Sequence, residues 1–144
     1  MSEEAERPLP YRAVELFDLA ADLERYPQYL PGWISAQVYL RGPDVCHAEQ
    51  VVGFGPVRMR LRTVAHMYRP ERIEVTSDDS RFRQFHLLWR FRQAGGDCSV
   101  GLRVELELRS RLLQSWVDRG AHGTVAQVLR AFEARARQLY GPAR

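Results

Sequence analysis

The sequence predicts an α+β domain in which a curved antiparallel sheet of six to seven strands surrounds a long C-terminal helix, with two short helices near the N-terminus. From residue 34 to residue 108, apolar and polar side chains alternate with a period of two, which is typical of half-buried antiparallel strands. From residue 110 to residue 140, apolar residues recur every three to four positions, as in an amphipathic helix. A chain of 144 residues supports one core, so residues 1–144 are interpreted as a single domain.

The N-terminal part is predicted to hold two helices. Residues 11–23 form the first, because Val14, Phe17 and Ala20 recur at helical spacing. Residues 24–30 hold at most a short second helix, since Pro27 and Pro31 bracket them.

Six strands are predicted to follow as a meander, separated by turns rich in glycine, proline and aspartate. The turns are Gly42-Pro43-Asp44, residues 53–56, Arg69-Pro70-Glu71, residues 78–80 and Gly95-Gly96-Asp97. In the first of these strands, Ile34, Ala36, Val38 and Leu40 are predicted to face inward. A seventh strand is predicted at the sheet edge around residues 4–9.

The C-terminal helix is predicted as one element over residues 110–140, on the order of 45 Å long. Gly120 and Gly123 interrupt its apolar stripe, and each costs about 1 kcal/mol relative to alanine in a helix interior. Glycines at such positions indicate a close backbone approach or a bend. Gly141-Pro142 ends the helix.

Several classes of protein are excluded by the sequence. No apolar run approaches the roughly 20 residues that span a bilayer, and the acidic start lacks the apolar segment of a secretory signal. We therefore expect a cytoplasmic protein, with peripheral contact to the inner membrane as a further option. Cys46 and Cys98 are isolated, so reduced thiols are expected rather than a metal site or a disulfide.

The 21 cationic side chains are all arginine, against 18 carboxylates, which gives a net charge of +3. Such a charge favours a polyanionic partner such as a ribosome or an anionic membrane. A GC-rich genome is an alternative explanation, because the chain also lacks lysine and asparagine. No motif indicates a DNA partner.

A basic patch on one strand, made of Arg58, Arg60 and Arg62, is the predicted location of a polyanion contact. Arg90, Arg92 and Arg103 are expected to extend it across neighbouring strands. Carboxylates that face it across strands would neutralise it, which is the more common outcome. These carboxylates are Glu49, Glu74, Glu105 and Glu107. No aromatic residues interleave with the arginines as in binders of single-stranded RNA.

Five separated segments resemble, in order, the coenzyme Q-binding START-like proteins of the polyketide cyclase/dehydrase and lipid transport superfamily. The segments are residues 17–31, Val52-Gly53-Phe54, Trp89-Arg90-Phe91, residues 109–113 and residues 131–141. This resemblance implies a helix-grip fold, also described as START-like or Bet v 1-like. The chain departs from the family pattern at Gly32-Trp33, at Gln50 and over residues 84–88.

The resemblance implies a non-enzymatic protein that binds a polyprenyl quinone, above all ubiquinone, in an internal cavity and so supports respiratory electron transfer or lipid handling. No cofactor is expected besides a bound ubiquinone or other lipid. The family also includes ribosome-associated toxins proposed to hinder subunit joining, which is the first alternative. A polyketide cyclase or dehydrase is the second alternative.

The candidate ligand-binding residues are those predicted to lie near both the sheet and the helices. They are Trp33, Gln50, Val52, Phe54, Met59, Leu61, Phe85, Leu87, Trp89, Trp116 and Val128. The alternative for each apolar member is an ordinary core position. Gln50, the polar exception, is expected to bond a ligand carbonyl, the backbone or a buried water.

No catalytic or metal-binding residue is predicted. The four histidines, His47, His66, His86 and His122, are scattered without the spacing of a metal motif, and His66 and His86 are expected on the outer face. Asp18 and Asp22 in the first helix are interpreted as solvated or capping residues.

Overall fold

A seven-stranded antiparallel sheet and four α-helices make up the computed structural model, which describes residues 1–142. The strands are β1 (Ser2–Leu9), β2 (Trp33–Arg41), β3 (Val45–Phe54), β4 (Val57–Tyr68), β5 (Arg72–Thr76), β6 (Phe82–Ala94) and β7 (Asp97–Leu108). The helices are α1 (Ala13–Ala21), α2 (Tyr26–Tyr29), α3 (Arg111–Ala121) and α4 (Thr124–Tyr140), with a 3₁₀ turn at Leu23–Arg25. The strand order is β1-β7-β6-β5-β4-β3-β2. The predicted α+β fold is confirmed, and β1 is the predicted edge strand.

The two-residue alternation places the predicted apolar face of β3 to β7 against the helices. The prediction for β2 is wrong at both ends, because Ile34 and Leu40 are 44% and 57% exposed. The pairing with β3 shifts register between Trp33 and Ser35 and again between Val38 and Leu40. Each shift moves the following side chains to the other face of the strand.

The predicted single C-terminal helix is divided in two, which corrects the sequence prediction. α3 ends at Ala121 and α4 begins at Thr124. Between them, Gly123 has a φ of 76°, in the left-handed region that ends a right-handed helix and that glycine adopts without steric cost. The break lets α3 pack on β3, β4 and β7 while α4 packs on β1 and β7.

Gly120, near the end of α3, lies against the tip of the β3–β4 hairpin. A Cβ atom on Gly120 would lie 2.9 Å from the amide nitrogen of Gly55 and 3.0 Å from the carbonyl carbon of Phe54. Both neighbours are backbone, so neither can rotate away. The close approach expected of a glycine in this helix is therefore observed at Gly120, whereas Gly123 supplies the break.

We expect Gly120→Ala to destabilise the protein by about 1 kcal/mol, since an overpacking cost of about 1–3 kcal/mol exceeds the gain of about 1 kcal/mol in helix propensity. Urea unfolding followed by circular dichroism measures the change. Gly96→Ala is the matched control, because nothing lies within 4 Å of the added Cβ. A stabilised Gly120→Ala variant would show that helix propensity outweighs the hairpin contact.

The interior consists of two hydrophobic cores. The first core lies between α1, α4 and the sheet and contains Trp89 and Phe132, both fully buried. The second core lies beneath α3 and contains Met59, Leu106 and Val117. Phe85 is partly buried and packs against both cores. Phe85 therefore lies where the two cores meet.

Candidate ligand-binding site

Two small cavities lie between the sheet and the helices, at the junction of the two cores. The first has a volume of about 30 Å³ and the second about 50 Å³. Both are lined by Trp33, Val52, Phe85 and Leu87, so these four side chains form the partition between them. A single enlarged space would form if the partition moved.

Most of the candidate residues lie at these cavities. The candidates that line at least one cavity are Trp33, Gln50, Val52, Phe54, Leu61, Phe85, Leu87 and Val128. Met59 lies instead inside the second core, Trp89 inside the first core, and Trp116 on the outer side of α3 with 40% of its surface exposed.

The cavities also have lining residues absent from the candidate set. These are Met1, Leu23, Tyr26, Pro31, Gly32, Gly53, Thr63, Val75, Leu102, Val104, Leu106, Thr124 and Val125. Strand alternation marks Thr63, Val75 and the β7 residues as inward, so a signal for them exists in the sequence. The residues of α2 and the turn after it carry no such signal, because their contact with the cavities depends on how α2 packs against the sheet.

A chain of polar side chains crosses the wall of the smaller cavity. The Trp33 indole Nε1–H donates to Gln50 Oε1 at 2.7 Å, and Gln50 Nε2 donates to Thr63 Oγ1 at 2.8 Å. Gln50 is 5% exposed and Thr63 is 2% exposed. Gln50 thus pairs with side chains rather than with backbone. One of its two amide hydrogens has no protein partner among residues 1–142 and is available to an acceptor.

Aromatic rings of α2 and β2 close the cavities on one side. Tyr26 packs edge-on against Trp33 with ring centroids 5.4 Å apart, and its hydroxyl donates to the carbonyl of Ala20. Burial, followed by the neighbouring Tyr29, raises the pKa of Tyr26 well above its ordinary value. Tyr26 is therefore a neutral hydrogen-bonded wall residue.

Among residues 1–142, no Asp, Glu, His, Cys, Lys or Arg side chain lines either cavity. Asp18 makes a two-point contact with the Arg69 guanidinium at 2.8 and 2.9 Å on the surface, and Asp22 pairs with Arg25 at 2.9 Å. Within the described residues 1–142, no cluster of His, Cys, Asp or Glu has the geometry to hold a metal ion. The cavity-lining residues within 1–142 therefore offer apolar surface and hydrogen-bonding groups rather than acid–base side chains.

Cys46 and Cys98 are free and buried beside the first core. Burial raises the pKa of Cys98 to about 11 from 9.0 and raises the pKa of Cys46 as well. The stabilisation from a raised pKa is complete below the ordinary value and is lost as the pH rises toward the folded value.

We expect both thiols to react slowly with an aromatic disulfide reagent near neutral pH in the native protein, because the thiolate is the reactive form. Two thiols should react at once after guanidinium denaturation. Raising the pH through the interval between 9.0 and about 11 should lower the free energy of unfolding. Fast native reaction would contradict the burial of both groups.

The predicted basic patch of Arg58, Arg60 and Arg62 is exposed on the outer face of β4. Arg60 pairs with Glu49, Arg62 lies over the Tyr39 ring at 5.7 Å, and Arg58 has no ion-pair partner among residues 1–142. The expected neutralisation is thus partial.

The expected extension of the basic patch is wrong. Arg90 lies opposite Arg72, which pairs with Tyr68 at the far end of β4. Tyr68 is about 20 Å along the strand from Arg62. Arg90, Arg92 and Arg103 line a separate outer groove with Glu4 and Glu6.

The family model for polyketide cyclase / dehydrase and lipid transport matches residues 9–133, which includes most of the sheet and the cavity-lining strands. The chain belongs to this family. Hydrophobic small molecules and lipids are the ligands that the family binds, and the family also includes polyketide cyclases.

Three known proteins are similar to this chain. The ribosome association toxin RatA of Pseudomonas aeruginosa is 30% identical over 134 residues, covering 92% of this chain and 93% of the relative. The mitochondrial coenzyme Q-binding protein COQ10 homolog B of Xenopus laevis is 25% identical, covering 92% of this chain and 57% of the relative. A START superfamily protein of Mycobacterium smegmatis has a TM-score of 0.72 at 19% identity, covering 96% of this chain and 98% of that chain. The structural likeness identifies the fold as START-like.

No helix within residues 1–142 is long and apolar enough to cross a bilayer.

Proposed function

We propose that this family member binds a polyprenyl quinone, with ubiquinone as the first candidate, in the space between its two cores. The observation that carries the proposal is an apolar cavity wall with one buried amide, Gln50, whose spare hydrogen suits a carbonyl oxygen. The similarity to a coenzyme Q-binding protein supports the same ligand class. The absence of acid–base side chains from the described lining favours binding without catalysis over cyclase chemistry.

Binding of such a ligand requires the cavities to enlarge. Their volumes of about 30 and 50 Å³ are far below the roughly 300–1,000 Å³ of typical ligand pockets. Movement of α3 together with the β3–β4 hairpin tip would separate the cores, because Gly120 and Gly55 hold these two elements in contact. Gly123, with its left-handed conformation and open surroundings, is the hinge that this movement needs.

The isoprenoid tail and the head group would use different parts of the enlarged space. Burial of the tail against Val104, Leu106 and Val128 contributes about 25 cal/mol per Å² of apolar surface. The head group would lie near Trp33 and Gln50, where a flat ring and an amide hydrogen are close together.

We expect the purified protein to take up ubiquinone from vesicles, and Gln50→Leu to hold about fivefold less, since one hydrogen bond contributes about 1 kcal/mol. Organic extraction of the re-isolated protein followed by chromatography measures the bound quinone. Gln37→Leu, an exposed position of β2, is the matched control and should bind normally.

The outcomes separate the parts of this proposal. If neither the wild type nor the variants take up quinone, quinone binding is wrong. Equal uptake by wild type and Gln50→Leu would support quinone binding in the cavity and would reject a contribution from the Gln50 amide. Circular dichroism of each variant verifies that the fold is intact.

Ribosome association is a second candidate function, favoured by the 30% identity to RatA and by the exposed basic patch of Arg58, Arg60 and Arg62. Co-sedimentation with ribosomal subunits should then be strongest at low salt and weaken as salt rises. Arg58→Gln/Arg62→Gln should weaken it, whereas Arg41→Gln/Arg130→Gln, at exposed arginines elsewhere, should not. Failure to co-sediment at low salt would reject this function.

A further inference from the structure

The outer side of α3 exposes apolar side chains that belong to neither hydrophobic core. Leu112 is 70% exposed and Trp116 is 40% exposed, whereas Val117 and Ala121 on the inner side are buried. Positions 112, 116 and 120 follow one another at successive helical turns. The exposed stripe therefore leads directly to Gly120 and the hairpin tip that it touches.

The hairpin tip adds to the same surface. Gly55 and Pro56 are exposed, and Phe54 and Val57 are half-buried. Ile34, 44% exposed, lies beside Gly53, with its Cδ1 atom 3.4 Å from the Cβ position of that glycine. Because Gly53 pairs with the outward-facing Arg58, Ile34 lies on the outer face of the sheet, and we name the surface formed by Pro56, Leu112 and Trp116 on the α3 side the apolar rim.

The hairpin residues next to the apolar rim line the larger cavity. Gly53 and Phe54 of the hairpin line that cavity together with Pro31, Gly32 and Thr124. A hydrophobic ligand that leaves a bilayer at the rim would thus be next to the hairpin residues that line the cavity. An exposed rim at this place is what a lipid exchange site needs.

Unpaired cations flank the apolar rim. Arg58, Arg111 and Arg119 have no ion-pair partner among residues 1–142, and the Arg119 guanidinium lies 5.4 Å from the centroid of the Trp116 ring. The one carboxylate of α3, Asp118, lines the same surface groove as Arg111 and Arg119, but it is engaged by the Met1 ammonium at 3.4 Å and by Gln114, which donates to it at 2.9 Å. Apolar side chains that include tryptophan, flanked by arginine, match the interface of an anionic bilayer.

We infer that the end of the molecule formed by α3 and the β3–β4 hairpin tip docks on anionic lipid bilayers. The inserted groups are Leu112 and Trp116, and the arginines contact lipid phosphates. The biological role of docking rests on the proposed function, since docking would bring the cavity to its ligand. Docking itself needs no quinone and can be tested without it.

Flotation with quinone-free vesicles of phosphatidylcholine, with or without phosphatidylglycerol, tests the inference. We expect the wild type to float with the anionic vesicles and to be released by salt. Leu112→Ser/Trp116→Ser should weaken flotation at least about tenfold, because both apolar groups are lost from the interface. Tyr39→Ser/Leu139→Ser removes comparably exposed side chains elsewhere and should float normally.

Three results would overturn the docking inference. The first is no flotation of the folded wild type, and the second is equal flotation of the two double variants. The third is flotation that is lost in Arg111→Gln/Arg119→Gln but kept in Leu112→Ser/Trp116→Ser, which would show attraction to negative charge without insertion of the apolar side chains.

Delivery of ubiquinone from detergent separates this inference from the proposed function. A docking variant that no longer floats but still binds detergent-delivered quinone supports both. If the wild type floats but binds no quinone from either source, docking is supported and quinone binding is wrong.

Discussion

Trp89→Ala should lower the free energy of unfolding by about 3–5 kcal/mol, the range for truncation of a large buried aromatic side chain. Trp89 is fully buried in the first core. Its ring stacks with Phe91 at a centroid distance of 6.2 Å and packs against Phe132 of α4 at 4.9 Å. The substitution therefore leaves a void between the sheet and α4.

Trp116→Ala is the matched control, because it removes the same side chain from an exposed site. It should cost no more than about 1 kcal/mol. Urea unfolding followed by far-ultraviolet circular dichroism measures both variants without relying on tryptophan fluorescence. For a protein of this size, the Trp89 variant should also unfold roughly 10–15 °C lower on heating. Equal losses in the two variants would contradict the assignment of Trp89 to the core.

Trp89 also distinguishes a core residue from a cavity residue. Because Trp89 lines neither cavity, Trp89→Phe should reduce stability while leaving quinone uptake per folded molecule unchanged. Gln50→Leu should have the opposite effect, because it should reduce quinone uptake while the protein stays folded. A loss of uptake in folded Trp89→Phe would place the ligand in the first core instead.

Strand alternation predicts which side chains face inward but not what covers them. Met59, Leu61 and Trp89 share the inward pattern, yet only Leu61 reaches a cavity. The difference depends on where α3 and α4 cross the sheet, which is decided by contacts between distant segments. Period-two patterning carries no information about such crossings.

The helix break and the bulges of β2 show the same limit. Two glycines three positions apart signal that the C-terminal helix is interrupted, but only packing against Gly55 separates the close approach at Gly120 from the break at Gly123. The two shifts in the β2 pairing leave no mark in the residue pattern. Ile34 is exposed on the outer face of the sheet as a result.

Among the charged residues within 1–142, Glu133 should be the one whose substitution destabilises the protein most. It is 8% exposed on α4 and accepts hydrogen bonds from Arg7 of β1 and from Arg137 one turn further along the helix. These contacts fasten the C-terminal helix to the edge strand. Removing one partner of a buried ion pair costs about 3–5 kcal/mol, but both arginines are about half exposed and regain water, so we expect Glu133→Ala to cost about 2 kcal/mol.

A double-mutant cycle tests whether the Arg7 contact supplies this stability. Arg7→Ala and Glu133→Ala should each destabilise, and the double variant should lose less than the sum, since both single substitutions remove the same Arg7–Glu133 contact. Arg130→Ala on the same helix is the control, because Arg130 has no ion pair among residues 1–142. Strict additivity of Arg7→Ala and Glu133→Ala in urea unfolding would show that the packing of α4, and not its charge contact with β1, holds the edge strand in place.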